Sequence, residues 1–195
     1  MTIEKGKAWG EPGTLAADGL SVASDEEARA AVEGARRRGG PVPMLGLRGG
    51  DLCRTLGGPG ALVTVFPVDV GAALLDGRLH WFVAHLIART PFWRHTVAVM
   101  NAQFRGRWNL APRGHPNDGL LDVYEADLGV ADRLKVRARL ESGTHLPHPG
   151  IKERRVAAVQ FEFPRPTSVE LDGALVAQVR TVSVRVEPDA LKVVV

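Results

Sequence analysis

Cysteine is nearly absent from this chain of 195 residues. Cys53 stands alone, so no internal disulfide can form and the fold must rest on packing. A lone thiol fits a reducing compartment, and a cytoplasmic location is the expectation. Long apolar runs are also missing, since none approaches the roughly 18 residues of a membrane-spanning helix. The first residues, Met1 to Lys5, contain no apolar signal region. Lysine is scarce, at 5 against 20 arginines, yet 22 acidic residues hold the net charge to +3. The basic residues are scattered, whereas a nucleic-acid footprint gathers them on one patch, so nucleic acid is not an expected partner. A mildly basic face remains compatible with peripheral contact to anionic phospholipid. Disorder is excluded, because 45% apolar and 24% charged residues is the mix of a globular protein.

Several catalytic patterns are missing as well. No G-x-S-x-G elbow is present, which removes the usual hydrolase signature. His145-x-x-His148 has zinc-like spacing, but Pro147 and Pro149 stiffen it and no Cys or Glu pair lies near to complete a tetrahedron. His115, His145 and His148 therefore read as ordinary histidines. Cys53 reads as a buried apolar residue in preference to an acidified nucleophile.

Proline and glycine cut the chain into short elements. Ser24 followed by Glu27 forms a capping box, and Ala28, Ala31, Val32 and Ala35 form an apolar stripe, predicting a helix over about 24–38. Arg36 to Arg38 suit its C-terminal end, and Gly39 stops it. A short strand is expected over about 42–47. From about residue 61, Val-, Leu- and Phe-rich segments alternate with turn residues, at 61–71, 79–89, 96–104, 119–126, 156–163, 167–172 and 179–187. Residues 130–142 fit a strand by alternation and a helix by their stacking of Val130, Leu134 and Ala138. The expected fold is α+β and mainly β. A small α/β segment over 1–60 precedes a β-rich, sandwich-like domain over 61–195.

Two stretches carry candidate chemistry. Residues 46–58 place Gly49, Gly50 and Asp51 after a strand, where glycines let backbone approach a phosphate. Trp81, Phe82 and Val83 open the most apolar stretch, suited to a core strand or to the wall of a lipid cleft. Trp93 and Trp108 lie beside Arg94, Arg105 and Arg107, a setting for an interface anchor or for arginines lying on ring faces.

Asp51 to Gly57 reads D-L-C-R-T-L-G, matching at six of seven positions an element of the diacylglycerol-kinase-type lipid kinases, D-L-A-R-T-L-G. The resemblance continues in order. Pro67 to Gly71 resembles the family's strand with a central Asp, Met100-Asn101-Ala102 sits at its Asn-led segment, and Pro116 to Val123 resembles its P-N-D-G-L-L-D-V signature. Gly143-Thr144-His145, His148-Pro149 and Leu171-Asp172-Gly173 complete the series over roughly residues 45–195. The resemblance implies the family's β-rich C-terminal domain, a cleft for a lipid or amphipathic small molecule with Trp81, Phe82, Val83 and Asn101 at it, and a structural Mg²⁺ on Asp118. A plain Asn-Asp-Gly turn is the competing reading of Asp118.

The departures bear on activity. The family's G-G-D-G-T loop for ATP is not found ahead of Gly46, where there is room for one helix and one or two strands. Ala174 stands where the kinases carry a Glu thought to act as base. General-base catalysis is worth roughly 10²–10⁴-fold. The leading reading is a non-catalytic or impaired relative that binds a lipid. A second is a working lipid or small-alcohol kinase, with Gly49, Gly50 and Asp51 on ATP·Mg²⁺, Asp51 catalytic, and a homodimer completing the short first part. A third is a protein-interaction module using Trp93 and Trp108.

Overall fold

A computed structural model describes residues 9–195; Met1 to Lys5, the segment expected to lack a signal region, lies outside them. In chain order the elements are β1 (Glu11–Pro12), β2 (Leu20–Val22), α1 (Asp25–Arg37), β3 (Leu45–Leu47), α2 (Asp51–Thr55), β4 (Thr64–Leu75), β5 (Arg78–Phe82), β6 (His85–Arg89) and β7 (His95–Met100). They continue with β8 (Phe104–Arg105), β9 (Trp108–Asn109), β10 (Leu121–Asp127), α3 (Val130–Arg139), β11 (Ile151–Val156), β12 (Ala158–Leu171) and β13 (Ala174–Val194). The fold is mainly β and sandwich-like, as the segment pattern predicts. One large sheet runs β1-β4-β13-β12-β6-β7-β10-β11, all antiparallel, and β5 pairs with β4.

Helix α1 begins where its capping box predicts. Ser24 Oγ accepts from Glu27 N at 3.2 Å, and Glu27 answers by accepting from Ala23 N at 2.7 Å. Its buried stripe of Ala28, Val32 and Ala35 faces the sheet, with β5 and β2 as its nearest strands, and Ala28 and Val32 join one core with Leu45, Val68 and Leu191. Strand β3 pairs in parallel with both β2 and the end of β13. The boundary expected near residue 60 is therefore crossed by a sheet ladder and by one continuous core.

Three segments differ from the sequence reading. Residues 79–89 bend at Val83-Ala84 and make two strands, β5 and β6. The segments 156–163 and 167–172 are one strand, β12, with its register shifted around Pro164 and Pro166, where the ladder lacks donors. Residues 130–139 are a helix, consistent with the helix-forming Ala, Leu, Lys and Arg between the ambiguous apolar positions.

Two Asp-Gly pairs make the tight hairpins. Asp76 and Gly77 join β4 to β5, Asp172 and Gly173 join β12 to β13, and all four residues have positive φ, as a type I′ turn requires. Asp76 accepts from Arg180 N and Thr181 N and tethers its turn to β13. The Thr181 amide, in first place, holds the Asp76 carboxyl below its ordinary value.

At Gly71 the ring of Phe82 lies flat against the opposite strand. A Cβ there would meet ring atoms at 2.1–2.5 Å. Gly71→Ala is expected to cost about 1–3 kcal/mol by overpacking. Urea denaturation of the variant checks this, and unchanged stability would show that the ring has room to move.

Candidate functional site

The lipid-kinase motifs converge on a chain of ionisable groups. It starts at Asp172, buried at the β12–β13 turn. Its carboxylate accepts from the amides of Val83, Ala84 and His85 at 2.9, 2.9 and 3.0 Å. Burial pushes its pKa up, against the pull of nearby His85 and these three donors. The same bond fixes His85, whose Nε2 lies 3.1 Å from Asp51 Oδ2 while its buried Nδ1 has no protein partner. Asp51 Oδ1 in turn accepts from Gly106 N at 2.7 Å.

Gly49 and Gly50 stand at the start of α2, the place proposed for a phosphate. That place is taken by Asp25, from the first turn of α1. Its carboxylate accepts from Asp51 N at 2.5 Å and Leu52 N at 3.1 Å. A Cβ on Gly50 would fall 2.5 Å from Asp25 Oδ1, and one on Gly49 would fall 2.5 Å from the Ala23 carbonyl oxygen. The glycines thus admit an internal carboxylate and its backbone. A phosphate does not fit beside it, because the two amides are committed and the charges repel. Burial raises the Asp25 pKa to about 6, Asp172 adds to the rise, and the two amides oppose it. Sequence reading passed over Asp25 because an acid in a helix's first turn is ordinary. Cys53, behind this turn, is buried, and burial pushes its thiol pKa up, which leaves it inert.

Asp118 does not present itself to a metal. Its Oδ1 accepts from Leu120 N at 3.0 Å, as an Asn-Asp-Gly turn would have it, and its Oδ2 pairs with Arg155 Nη2. Arg155 Nε also lies 3.2 Å from Asp122 Oδ1. Burial lifts Asp122 to about 6, with Arg155 opposing. The guanidinium holds both carboxylates, so Mg²⁺ does not fit the residues present. Among the described residues no group of three or more His, Cys, Asp or Glu is placed to hold a metal ion. The neighbouring Asp69, in the strand resembling the family's, is a staple: it accepts from Gly119 N and Asp189 N.

The expected cleft residues are interior. Trp81 and Val83 belong to the core below α1, and Phe82 belongs to the second core. Asn101 donates to the carbonyls of Asp69 and Val83 at 2.8 Å each and holds two strands together. Trp81 also borders a cavity of about 750 Å³ with Arg37, Asp76, Arg78 and Gln178; a more apolar cavity lies elsewhere, between the sheet and α3. It measures about 660 Å³, a size usual for a single small-molecule ligand. Ile87, Ala98, Ala126 and Leu128 form its floor, and α3 covers it with Val130, Leu134 and Val136. Phe92, Val130 and Leu134 on its wall are 85%, 68% and 65% exposed, so its rim is apolar and open. Phe92 and Trp93 both take positive φ, a strained conformation that turns them outward and inward at this rim.

Trp93 and Trp108 also line the cavity, edge to face at 6.2 Å between ring centroids. Arg105 lies over both rings, Arg89 over Trp93 and Arg137 over Trp108. Glu170 receives Arg89 and Arg105 at 2.8 and 2.7 Å. Buried Tyr124 and His145 face the cavity too, with the phenol oxygen and Nδ1 lacking protein partners. Burial pushes the Tyr124 pKa up and the His145 pKa down, so both are neutral at pH 7.

Two outcomes follow from these geometries. Asp25 and Asp122 titrate near 6 when folded, against 3.8 for an ordinary Asp. The folded state therefore binds more protons between those values, and their contribution to stability falls as pH rises through that window. Wild type should lose stability relative to Asp25→Asn between pH 4 and 7 in parallel urea titrations. A pH-independent difference would mean that Asp25 is ionised throughout. At the Arg155 site, neither EDTA nor millimolar Mg²⁺ should move the melting temperature of the wild type. Arg155→Ala should lower it, the loss of stability being about 1 kcal/mol because the guanidinium is 42% exposed and solvent screens both pairs, and Mg²⁺ should restore part of the loss.

No curated protein matches the chain in sequence. Three solved structures from Bacillus anthracis str. Sterne share its fold. One, named a diacylglycerol kinase, has 16% identity and a TM-score of 0.64, over 91% of this chain and 76% of that one. Two, named as proposed diacylglycerol kinases, have 16% and 15% identity and TM-scores of 0.67 and 0.69. They cover 91% of this chain and 77% and 78% of their own. Residues 71–195 match the family described as the YegS C-terminal NAD kinase beta sandwich-like domain, and with well over half of its length so matched, the chain belongs to that family.

Proposed function

We propose that this chain is a lipid-kinase relative that binds an amphipathic lipid and does not transfer phosphate. The cavity under α3 carries the reading. It is apolar in its walls, polar at a few points, and framed by an exposed apolar rim. Such a rim suits exchange of a ligand with a bilayer surface, and α3 carries Arg133, Lys135, Arg137 and Arg139 against a single Asp132. Among the described residues, no helix is long and apolar enough to cross a membrane.

Two internal features support the absence of transfer. Ala174 cannot take a proton where the related kinases carry a Glu. Asp25 puts a carboxylate on the α2 amides, where ATP would need donors. Phosphoryl transfer depends almost wholly on positioning and charge stabilisation, and a fixed anion works against both.

Lipid extraction and mass spectrometry of the purified protein should recover a stoichiometric amphiphile. Ala98→Phe, which fills the cavity floor, should abolish recovery while leaving the β-sheet circular dichroism intact. In a thermal-shift titration, ATP with Mg²⁺ at millimolar concentration should produce no shift. A ligand at 100 times its Kd would add roughly 2.7 kcal/mol, so a surviving nucleotide site would be visible and would restore the kinase reading.

A further inference from the structure

The charges around the cavity are of one sign. Among the described residues, Arg133 and Arg137 are the only ones of its lining that are charged at neutral pH, and no Asp or Glu lines it. Including the ring-stacked pair, four arginines (89, 105, 133 and 137) surround the Trp93–Trp108 end against one carboxylate, Glu170. The orphaned groups at this end are donors. Trp108 Nε1, Arg133 Nε and Arg105 Nε are buried without a protein partner. An indole or guanidinium nitrogen can only donate, so what satisfies it must accept. A buried donor left unmade is costly, which favours an occupant that brings oxygen acceptors to this end.

We infer that the occupant is a long-chain fatty acid, its carboxylate at the Trp108–Arg133–Arg137 end and its acyl chain over Ala98, Ala126 and Ile151. The assignment rests on the lipid-binding reading of this cavity and narrows it to one headgroup. A neutral glyceride would bury the cationic end without an opposite charge. A phosphate monoester and a carboxylate both accept from guanidinium groups, and calorimetric titration separates the two. The forks of Arg89 and Arg105 are tied to Glu170, and one arm of Arg133 is on the Phe92 carbonyl. What remains are Trp108 Nε1, Arg133 Nε and the exposed guanidinium of Arg137, enough donors for two carboxylate oxygens.

The test is calorimetric titration of the full chain, stripped of lipid, with palmitate, monopalmitoylglycerol and palmitoyl lysophosphatidate, each below its micellar concentration. Palmitate should bind at least tenfold tighter than monopalmitoylglycerol. Arg137→Gln, on an exposed helical position that will not disturb folding, should weaken palmitate about tenfold and leave monopalmitoylglycerol within twofold. Arg133→Gln should act in the same direction. Equal binding of palmitate and the neutral glyceride, with no effect of either substitution, would overturn the headgroup while leaving the lipid cavity standing. Lysophosphatidate binding tenfold tighter than palmitate would overturn the carboxylate in favour of a phosphate. Binding of none of the three would overturn this assignment together with the lipid reading beneath it.

Discussion

A carboxylate buried at a hairpin tip must find donors, and the way Asp172 finds them sets much of the rest. Three consecutive amides, those of Val83, Ala84 and His85, point at it because the chain bends between β5 and β6. Without that anion the bend would leave three buried N–H groups unpaired, each costing about 1–3 kcal/mol. The bend ends the run 79–89 as a single strand and swings β6 onto β12. It also delivers His85 to Asp51, whose main chain begins α2. The turn that closes the sheet and the loop that resembles a nucleotide site are thus two ends of one hydrogen-bonded chain.

Asp25 continues the same logic on the other side of α2. Helix starts expose amides that attract anions. Here the anion is covalently part of the protein, brought by the first turn of α1, and two glycines make room for it. Arg155 does the complementary thing for a pair of acids, standing between Asp118 and Asp122 where a related fold is thought to hold a cation. In each case a ligand of opposite charge has an intramolecular counterpart. An intramolecular partner is not lost by dilution, so stability no longer depends on ligand supply.

Legibility in the sequence followed how local the determining forces were. The α1 cap was readable because Ser24, Glu27 and the apolar stripe all lie within one helix. The ordered motifs from Asp51 to Gly173 point to the sandwich. The cavity was not readable. A continuous apolar run such as Trp81 to Ile87 says that a segment is buried, but not which side faces a void. The walls of the cavity under α3 come from alternate residues of β7 and β10, such as Ala98 and Ala126, from single residues of β6, β9 and β11, and from one side of α3, whose own identity is ambiguous in the sequence. Ala98 and Ala126 are small residues on neighbouring strands, and they meaningfully thin the wall only once the register is known. Asp25 escaped for the opposite reason, since its position looked fully explained by its own helix.

The α3 cover explains why a helix with so little buried surface persists. Only Val136 of its ten residues is fully buried, while Val130 and Leu134 project into the open rim. A ten-residue helix is marginal in water on propensity alone, so packing has to hold it. Here that packing is shared with the cavity: Trp108, Leu110 and Ile151 lie against Leu128, Val136 and Leu140. An occupant that adds apolar contacts beneath α3 would stabilise the helix by the same burial that binds the occupant, at about 25 cal/mol per Å² of surface removed from water. Ligand affinity and order in the cover are then one free energy, divided between two readouts. The arginines along α3 gain from that coupling, because a helix held in place presents Arg133 and Arg137 at a fixed distance from the tryptophan pair.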